Sequence, residues 1–270
     1  MGWIVAAALA IPLAAGAAGA GGATSVELTA EQVVEKNVAA RGGAEAWRKI
    51  DTMVWFGHLE SDRAPIPNLP FVLQQMRPNK TRFEIDNMGH RTVRVFDGRS
   101  GWTVHPERRG APDVKGYTPQ ETTFALRSPG LDGPLIDYQA KGGTVALEGL
   151  EQIEGHKAFR LKVQLASGET DHVWVDAATF LEVRYDRPSY GPTGTPATVT
   201  VFYGDYKTVD GLQIPSVVET SGAAGQRRDR MLIDRFMPNA PLDERAFARP
   251  GGASRRGGAA MEAPRASGLQ

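Results

Sequence analysis

The chain of 270 residues contains no cysteine. That excludes disulfides, lipid attachment through a cysteine, thiol nucleophiles and thiolate metal sites. It leaves the compartment open, because exported proteins can also lack disulfides. Net charge is missing too. Lys plus Arg and Asp plus Glu each number 31, a formal sum of 0, so nothing global points to nucleic acid or an acidic partner. The histidines (His58, His90, His105, His156 and His172) form no His-Glu-x-x-His or other close metal spacing. There is no Gly-x-Ser-x-Gly elbow and no phosphate-loop lysine pattern, and Gly42-Gly43 follows a helical pattern instead of joining a strand to one. No sustained basic patch with spaced aromatics appears in the folded region, so nucleic acid is not an expected partner. No cofactor and no metal are expected.

What is present begins with Met1 to Ala20, MGWIVAAALAIPLAAGAAGA. This apolar, Ala-rich run reads as a secretory signal peptide, cut after Ala20 or as late as residue 23. It departs from the usual pattern in having no Lys or Arg before the apolar stretch. The run is short for a membrane span, and Pro12 and Gly16 interrupt it. Export to the periplasm is the expectation. A folded domain is assigned to residues 28–247. The tail, residues 248–270, is polar and Gly-rich without core periodicity and is expected to be disordered.

Inside the domain, Thr29 and Gln32 have capping-box spacing, and Val33, Val34, Val38 and Ala39 form an apolar helical stripe. Gly42-Gly43 ends that helix, and Ala44 to Ile50 forms a brief second turn carrying Trp47. From Thr52 the period becomes two. Short alternating runs follow, separated by turn signals such as Pro78-Asn79, Asp97-Gly98, Glu154-Gly155-His156, Ser167-Gly168 and Asp210-Gly211. They amount to about ten strands, whose spacing favours antiparallel pairing. Between Pro106 and Lys141 the pattern weakens; Pro119 to Leu126 is expected as one helix and Leu131 to Tyr138 as another short one.

The order of these elements resembles the superfamily of periplasmic lipoprotein carriers and outer-membrane lipoprotein-sorting proteins, the LolA-like proteins. The resemblance runs from about Leu28 to Phe247. It rests on the first helix and on Val93 to Val104, VRVFDGRSGWTV. It also rests on Trp174-x-Asp176 with its turn and Leu181, and on Tyr203, Tyr206 and Val209 to Pro215. The resemblance implies a mainly β fold: a strongly curved, incompletely closed antiparallel sheet, a half-barrel, with helices over its concave face. It implies lipid binding and transport in an apolar cavity, a chaperone-like carrier role without catalysis. The cargo would be the acyl chain of a lipoprotein or a lipid, exchanged with transfer partners at the inner and outer membranes by a monomer. The alternative is a structural or regulatory envelope protein that uses the same sheet to bind a protein partner.

Candidate ligand-binding residues are Val34, Val38, Trp55, Phe83, Trp102, Phe124, Leu135, Phe159, Leu161, Val163, Trp174 and Tyr203. The same apolar side chains would equally well seal an ordinary core. Arg82, Arg91 and Arg94 are candidates for a polar lipid head or an acidic partner patch. No catalytic residue is assigned. His172 and Asp176 share a strand face about 13 Å apart, too far for a hydrogen-bonded pair. Asp176 reads instead as a turn former beside Ala177-Ala178. Trp174 points opposite to Val173 and Val175, so one or the other set faces the interior.

Overall fold

The structure is a computed structural model that describes residues 28–61, 66–105, 112–190, 195–221 and 228–249. The expected leader (1–20) and residues 250–270 of the expected tail lie outside the described residues. The chain opens with α1 (Ala30–Ala40) and α2 (Ala44–Arg48), followed by β1 (Thr52–Glu60), β2 (Leu69–Met76), β3 (Lys80–Asn87), β4 (His90–Phe96), β5 (Gly101–His105) and β6 (Asp113–Gly116). A helix, α3 (Pro119–Leu126), then precedes β7 (Thr144–Ile153), β8 (His156–Gln164), β9 (Thr170–Asp176), β10 (Glu182–Tyr190), β11 (Pro196–Val209), β12 (Leu212–Ser221) and β13 (Arg228–Pro238). A 3-10 turn at Glu244–Phe247 follows.

All thirteen strands form one antiparallel sheet, in the order β6-β5-β4-β3-β2-β1-β13-β12-β11-β10-β9-β8-β7. Neighbours in sequence are neighbours in space, as short hairpins require, except that β1 pairs with β13. The chain therefore leaves one edge of the sheet at β6 and re-enters at the opposite edge at β7. Residues 117–143, including α3, make that crossing over one face.

The sequence accounts for the cover on this face. Thr29 and Gln32 form the expected capping box, each bonding the other's backbone at 2.9 and 3.3 Å. The stripe Val33, Val34 and Ala30 packs on Leu161, Val163, Val173, Val175 and Tyr185, together with Leu135 from the crossing segment. Trp47 and Ile50 pack on Met53, Phe71, Leu212, Ile214, Ile233 and Phe236, with Leu131 and Ile136. Each such fully buried side chain contributes about 1.5–3 kcal/mol relative to exposure.

A buried ionic lock sits among these residues. Arg41 Nη1 donates to the Asp132 carbonyl at 2.7 Å and to Glu182 Oε1 at 3.2 Å, and its guanidinium lies 4.3 Å from the Trp47 ring centroid. Asp132 also meets Arg77 and Lys141, each at 3.4 Å. Tyr206 donates to the Glu182 carbonyl at 2.9 Å; burial and then the Glu182 charge push its phenol well above the ordinary value. The lock ties the helices and the crossing segment to the sheet.

Three expectations are corrected. The strongly curved half-barrel does not form: among the described residues the sheet is open, with β6 and β7 each paired on one side only, and it is not strongly curled. Both of its faces are packed, which suits a spread layer more than a hollow trough. On the face away from α1, Val54 and Phe56 pack on Ala240, and Val93 and Val95 pack on Phe247. Secondly, Leu131 to Tyr138 forms consecutive bends and turns instead of a helix, because Gly133 and Asp137 hold φ of 75° and 54°, outside the right-handed helical region. Thirdly, β6 was not expected as a strand; it pairs with β5 through Trp102, Thr103, Val104 and His105.

Candidate functional site

The crossing segment leaves an open groove of about 460 Å³ beside α3. Thr81 and Phe83 of β3, Arg94 of β4, Tyr117, and Arg187, Ser189 and Tyr190 of β10 line it, with Gln120, Glu121, Phe124, Ala125 and Ser128 of the α3 segment. A smaller hollow of about 200 Å³ shares Gln120, Phe124, Arg187, Ser189 and Tyr190. Pairing places Phe83 opposite Arg94, so strand alternation turns both toward the groove while Arg82 and Glu84 turn away.

Helix α3 is well made at its start and lightly anchored along its length. Thr118 and Glu121 form a capping box, and Pro119 occupies the first turn, where its missing N–H costs nothing. No residue of α3 is buried. Phe124 and Leu126 are 42% and 52% exposed, and Tyr190 of the groove lining is 57% exposed. Asn79 holds the C-terminal end by donating to the Ala125 carbonyl at 3.1 Å.

Two arginines set the electrostatics. Arg94 Nη2 meets Glu121 Oε1 at 2.8 Å and lies 4.7 Å from the Tyr117 ring centroid. Burial works upward on Glu121, but hydrogen bonds from the Thr118 backbone and from Arg94 hold its carboxyl below the ordinary value. Burial pushes the Tyr117 phenol up. Arg187 stacks 3.6 Å from the Phe124 ring centroid and donates through Nη1 to the Phe124 and Arg127 carbonyls at 3.3 and 3.4 Å. Its Nε is out of solvent and has no hydrogen-bond partner among the described residues. Burial draws the Arg187 guanidinium below its ordinary value, against the pull of Tyr185, Tyr203 and Asp171.

The candidate residues separate into three groups. Phe83 and Phe124 line the groove. Val34, Val38, Leu135, Phe159, Leu161, Val163 and Tyr203 belong to the packed cluster under α1, and Trp55 lies in the neighbouring one, edge-on to Phe236 at 5.1 Å. Trp102 and Trp174 face the other side of the sheet. Trp174 there donates to Glu151 at 2.8 Å and lies between Arg160 and Arg184. Val173 and Val175 are thus the inward pair. Of the arginine candidates, Arg82 and Arg91 both pair with Glu84, whereas Arg94 reaches the groove. Tyr117, Arg187 and Tyr190 were not among the candidates.

The polar residues of the β9–β10 hairpin form a turn and not a catalytic group. Asp176 Oδ1 accepts from Ala178 N, Thr179 N and Thr179 Oγ1 at 3.0, 2.7 and 2.9 Å. His156 Nδ1 lies 2.9 Å from Oδ2. Thr179 bonds the carboxylate, so this arrangement is not the nucleophile–imidazole order of a triad. His172 meets Glu148 at 3.4 Å. Among the described residues, no group of three His, Asp or Glu side chains is placed to hold a metal ion, and no helix is long and apolar enough to cross a membrane.

By sequence, no family model matches the chain and no curated protein is similar to it. By structure it is similar to a DUF1329-family protein from Desulfovibrio piger, with a TM-score of 0.54 and 12% identity over 81% of this chain and 97% of that one. It is also similar to a LolA-superfamily protein from Nitrosomonas europaea, with a TM-score of 0.51 and 12% identity over 82% of this chain and 98% of that one. The likeness is one of fold.

Proposed function

We propose that the chain is a non-catalytic binding protein of the periplasm that takes one acyl chain, of a lipoprotein or a lipid, into the groove beside α3. The groove itself carries this reading. Its volume of about 460 Å³ falls in the range of small-ligand sites, and a group the size of a water molecule takes about 30 Å³. The aromatic side chains in its lining, Phe83, Tyr117, Phe124 and Tyr190, offer apolar surface to a chain. Each methylene moved from water onto such surface contributes about 0.8 kcal/mol when fully buried. The carrier resemblance and the shared fold support the same reading, as does the expected leader. The clusters under α1 and α2 serve as core in this account, and the ligand enters at α3.

The protein-partner alternative draws on the free edge of β7. That edge carries Glu148 and Glu151 and a register shift between Leu147 and Gly149, features by which natural edge strands deter pairing. We therefore favour the groove. Native mass spectrometry of the protein purified from its own cell envelope tests the reading, followed by lipid extraction and reloading. An adduct of one chain per protein is expected. A protein that neither retains nor accepts any lipid or lipopeptide contradicts it, and capture of one stable protein partner without lipid favours the alternative.

A further inference from the structure

Accepting the groove as an acyl-chain site, we infer that its ligand is a free single-chain carboxylate amphiphile, whose head is read by Arg94 and Arg187 in exchange with the protein's own Glu121. Three observations lead there. The groove is aromatic along its walls, yet among the described residues two guanidiniums line it and Glu121 is the one acidic side chain. The described lining is therefore cationic by one charge, the complement of a singly charged head. A second copy of that chemistry is already seated: the carboxylate on Arg94 at 2.8 Å is that of Glu121.

Glu121 is built to let go of Arg94 without unravelling α3. Its Oε1 faces Arg94, while Oε2 accepts from Thr118 N and Thr118 Oγ1 at 2.9 and 3.1 Å. An incoming carboxylate can take Arg94 and leave the helix cap bonded. Arg187 has donors to spare. Only Nη1 is used on the Phe124 and Arg127 carbonyls, and the buried Nε has no partner among the described residues. A guanidinium carries five N–H donors in a fork that matches a carboxylate edge-on. The size of the groove favours a single chain over a two-chain lipid, and an ester- or amide-linked acyl chain of a lipoprotein lacks the carboxylate. The exchange is non-covalent, and no bond is made or broken.

The test compares laurate with lauryl alcohol, which share a chain and differ in charge, by calorimetric or fluorescence-displacement titration at low and high salt. The full chain and the variants Arg187→Gln and Glu121→Gln are used. Wild-type protein is expected to bind laurate about tenfold more tightly than the alcohol at low salt, with the preference shrinking at high salt. Glu121→Gln keeps the capping box, since Gln serves at that position, and is expected to tighten laurate about threefold relative to the alcohol. Arg187→Gln is expected to abolish the preference, weakening laurate about tenfold more than the alcohol. Equal wild-type affinity for both ligands overturns the carboxylate proposal and leaves the chain-binding reading standing. A Glu121→Gln variant without gain, or an Arg187→Gln variant weakened equally toward both, also overturns it. Saturable binding of neither ligand defeats the groove reading itself.

Discussion

Glu182→Ala tests whether the face under α1 and α2 is a locked core. Arg41 and Glu182 are 3.2 Å apart with side chains only 8% and 7% exposed, so solvent screens the pair little. Removing the carboxylate leaves the Arg41 charge buried with the Asp132 carbonyl as its remaining polar acceptor and the Trp47 ring beneath it. Breaking a buried pair in this way costs about 3–5 kcal/mol. At roughly 2–4 °C per kcal/mol for a domain of this size, Tm falls by about 6–20 °C. Urea titration at neutral pH reads the loss as a lower midpoint at unchanged m. The double variant Arg41→Met with Glu182→Leu removes both charges and should recover most of the stability, as apolar replacements of buried pairs do. A loss below about 1 kcal/mol for Glu182→Ala would refute the lock, as would a double variant no better than the single one.

Two further outcomes follow from the turns and the groove. Asp176→Ala leaves the Ala178 and Thr179 N–H groups without their acceptor and should cost about 1–3 kcal/mol at neutral pH. Burial would raise the Asp176 pKa, but hydrogen bonds from Thr179 and His156 hold its carboxyl below the ordinary aspartate value. A depressed carboxylate stabilises above its unfolded pKa and loses that contribution as pH falls through the folded one. The gap between wild type and Asp176→Ala should therefore narrow in acid below the ordinary aspartate range, read by urea midpoints across pH. A gap constant with pH contradicts the assignment. Gly101→Ala would drive a methyl group into the Tyr117 ring, at a cost of about 1–3 kcal/mol in stability. Shifting Tyr117 should weaken acyl-chain binding about tenfold; unchanged affinity would remove Tyr117 from the site.

The parts of the fold visible in the sequence are those set by local chemistry. Thr29 and Gln32 bond within three residues, so spacing alone reveals that box, and Asp176 likewise bonds the turn that follows it. The Thr118 and Glu121 box is just as local but was not read from the sequence. Hairpin strands follow for the same reason. The short strand Asp113–Gly116 has no alternation to show and depends on β5 for its pairing. Leu131 to Tyr138 has apolar residues at helical spacing, but positive φ at Gly133 and Asp137 breaks the helix. Alternation shows that Trp174 opposes Val173 and Val175, yet only the position of α1 decides which side is the inner one. The expected curl came from the resemblance, and the packing of both faces overrides it. The groove was half visible through Phe83, Arg94 and Phe124. Arg187 and Tyr190 join them only because the chain crosses from β6 to β7 over the sheet, a long-range event that leaves no local pattern.

The central claim, that a ligand chain lies beside α3 and not beneath α1, is tested most directly by photolabelling. A diazirine-bearing fatty acid is bound to the full chain, irradiated, and the labelled peptides are sequenced. Label on the peptides carrying Phe83, Tyr117, Phe124 or Tyr190, displaced by excess unlabelled fatty acid, is the predicted result. Displaceable label concentrated on Leu161, Val163 and Val173 would contradict the account, because it would mean that the packed face opens and the groove does not hold the chain.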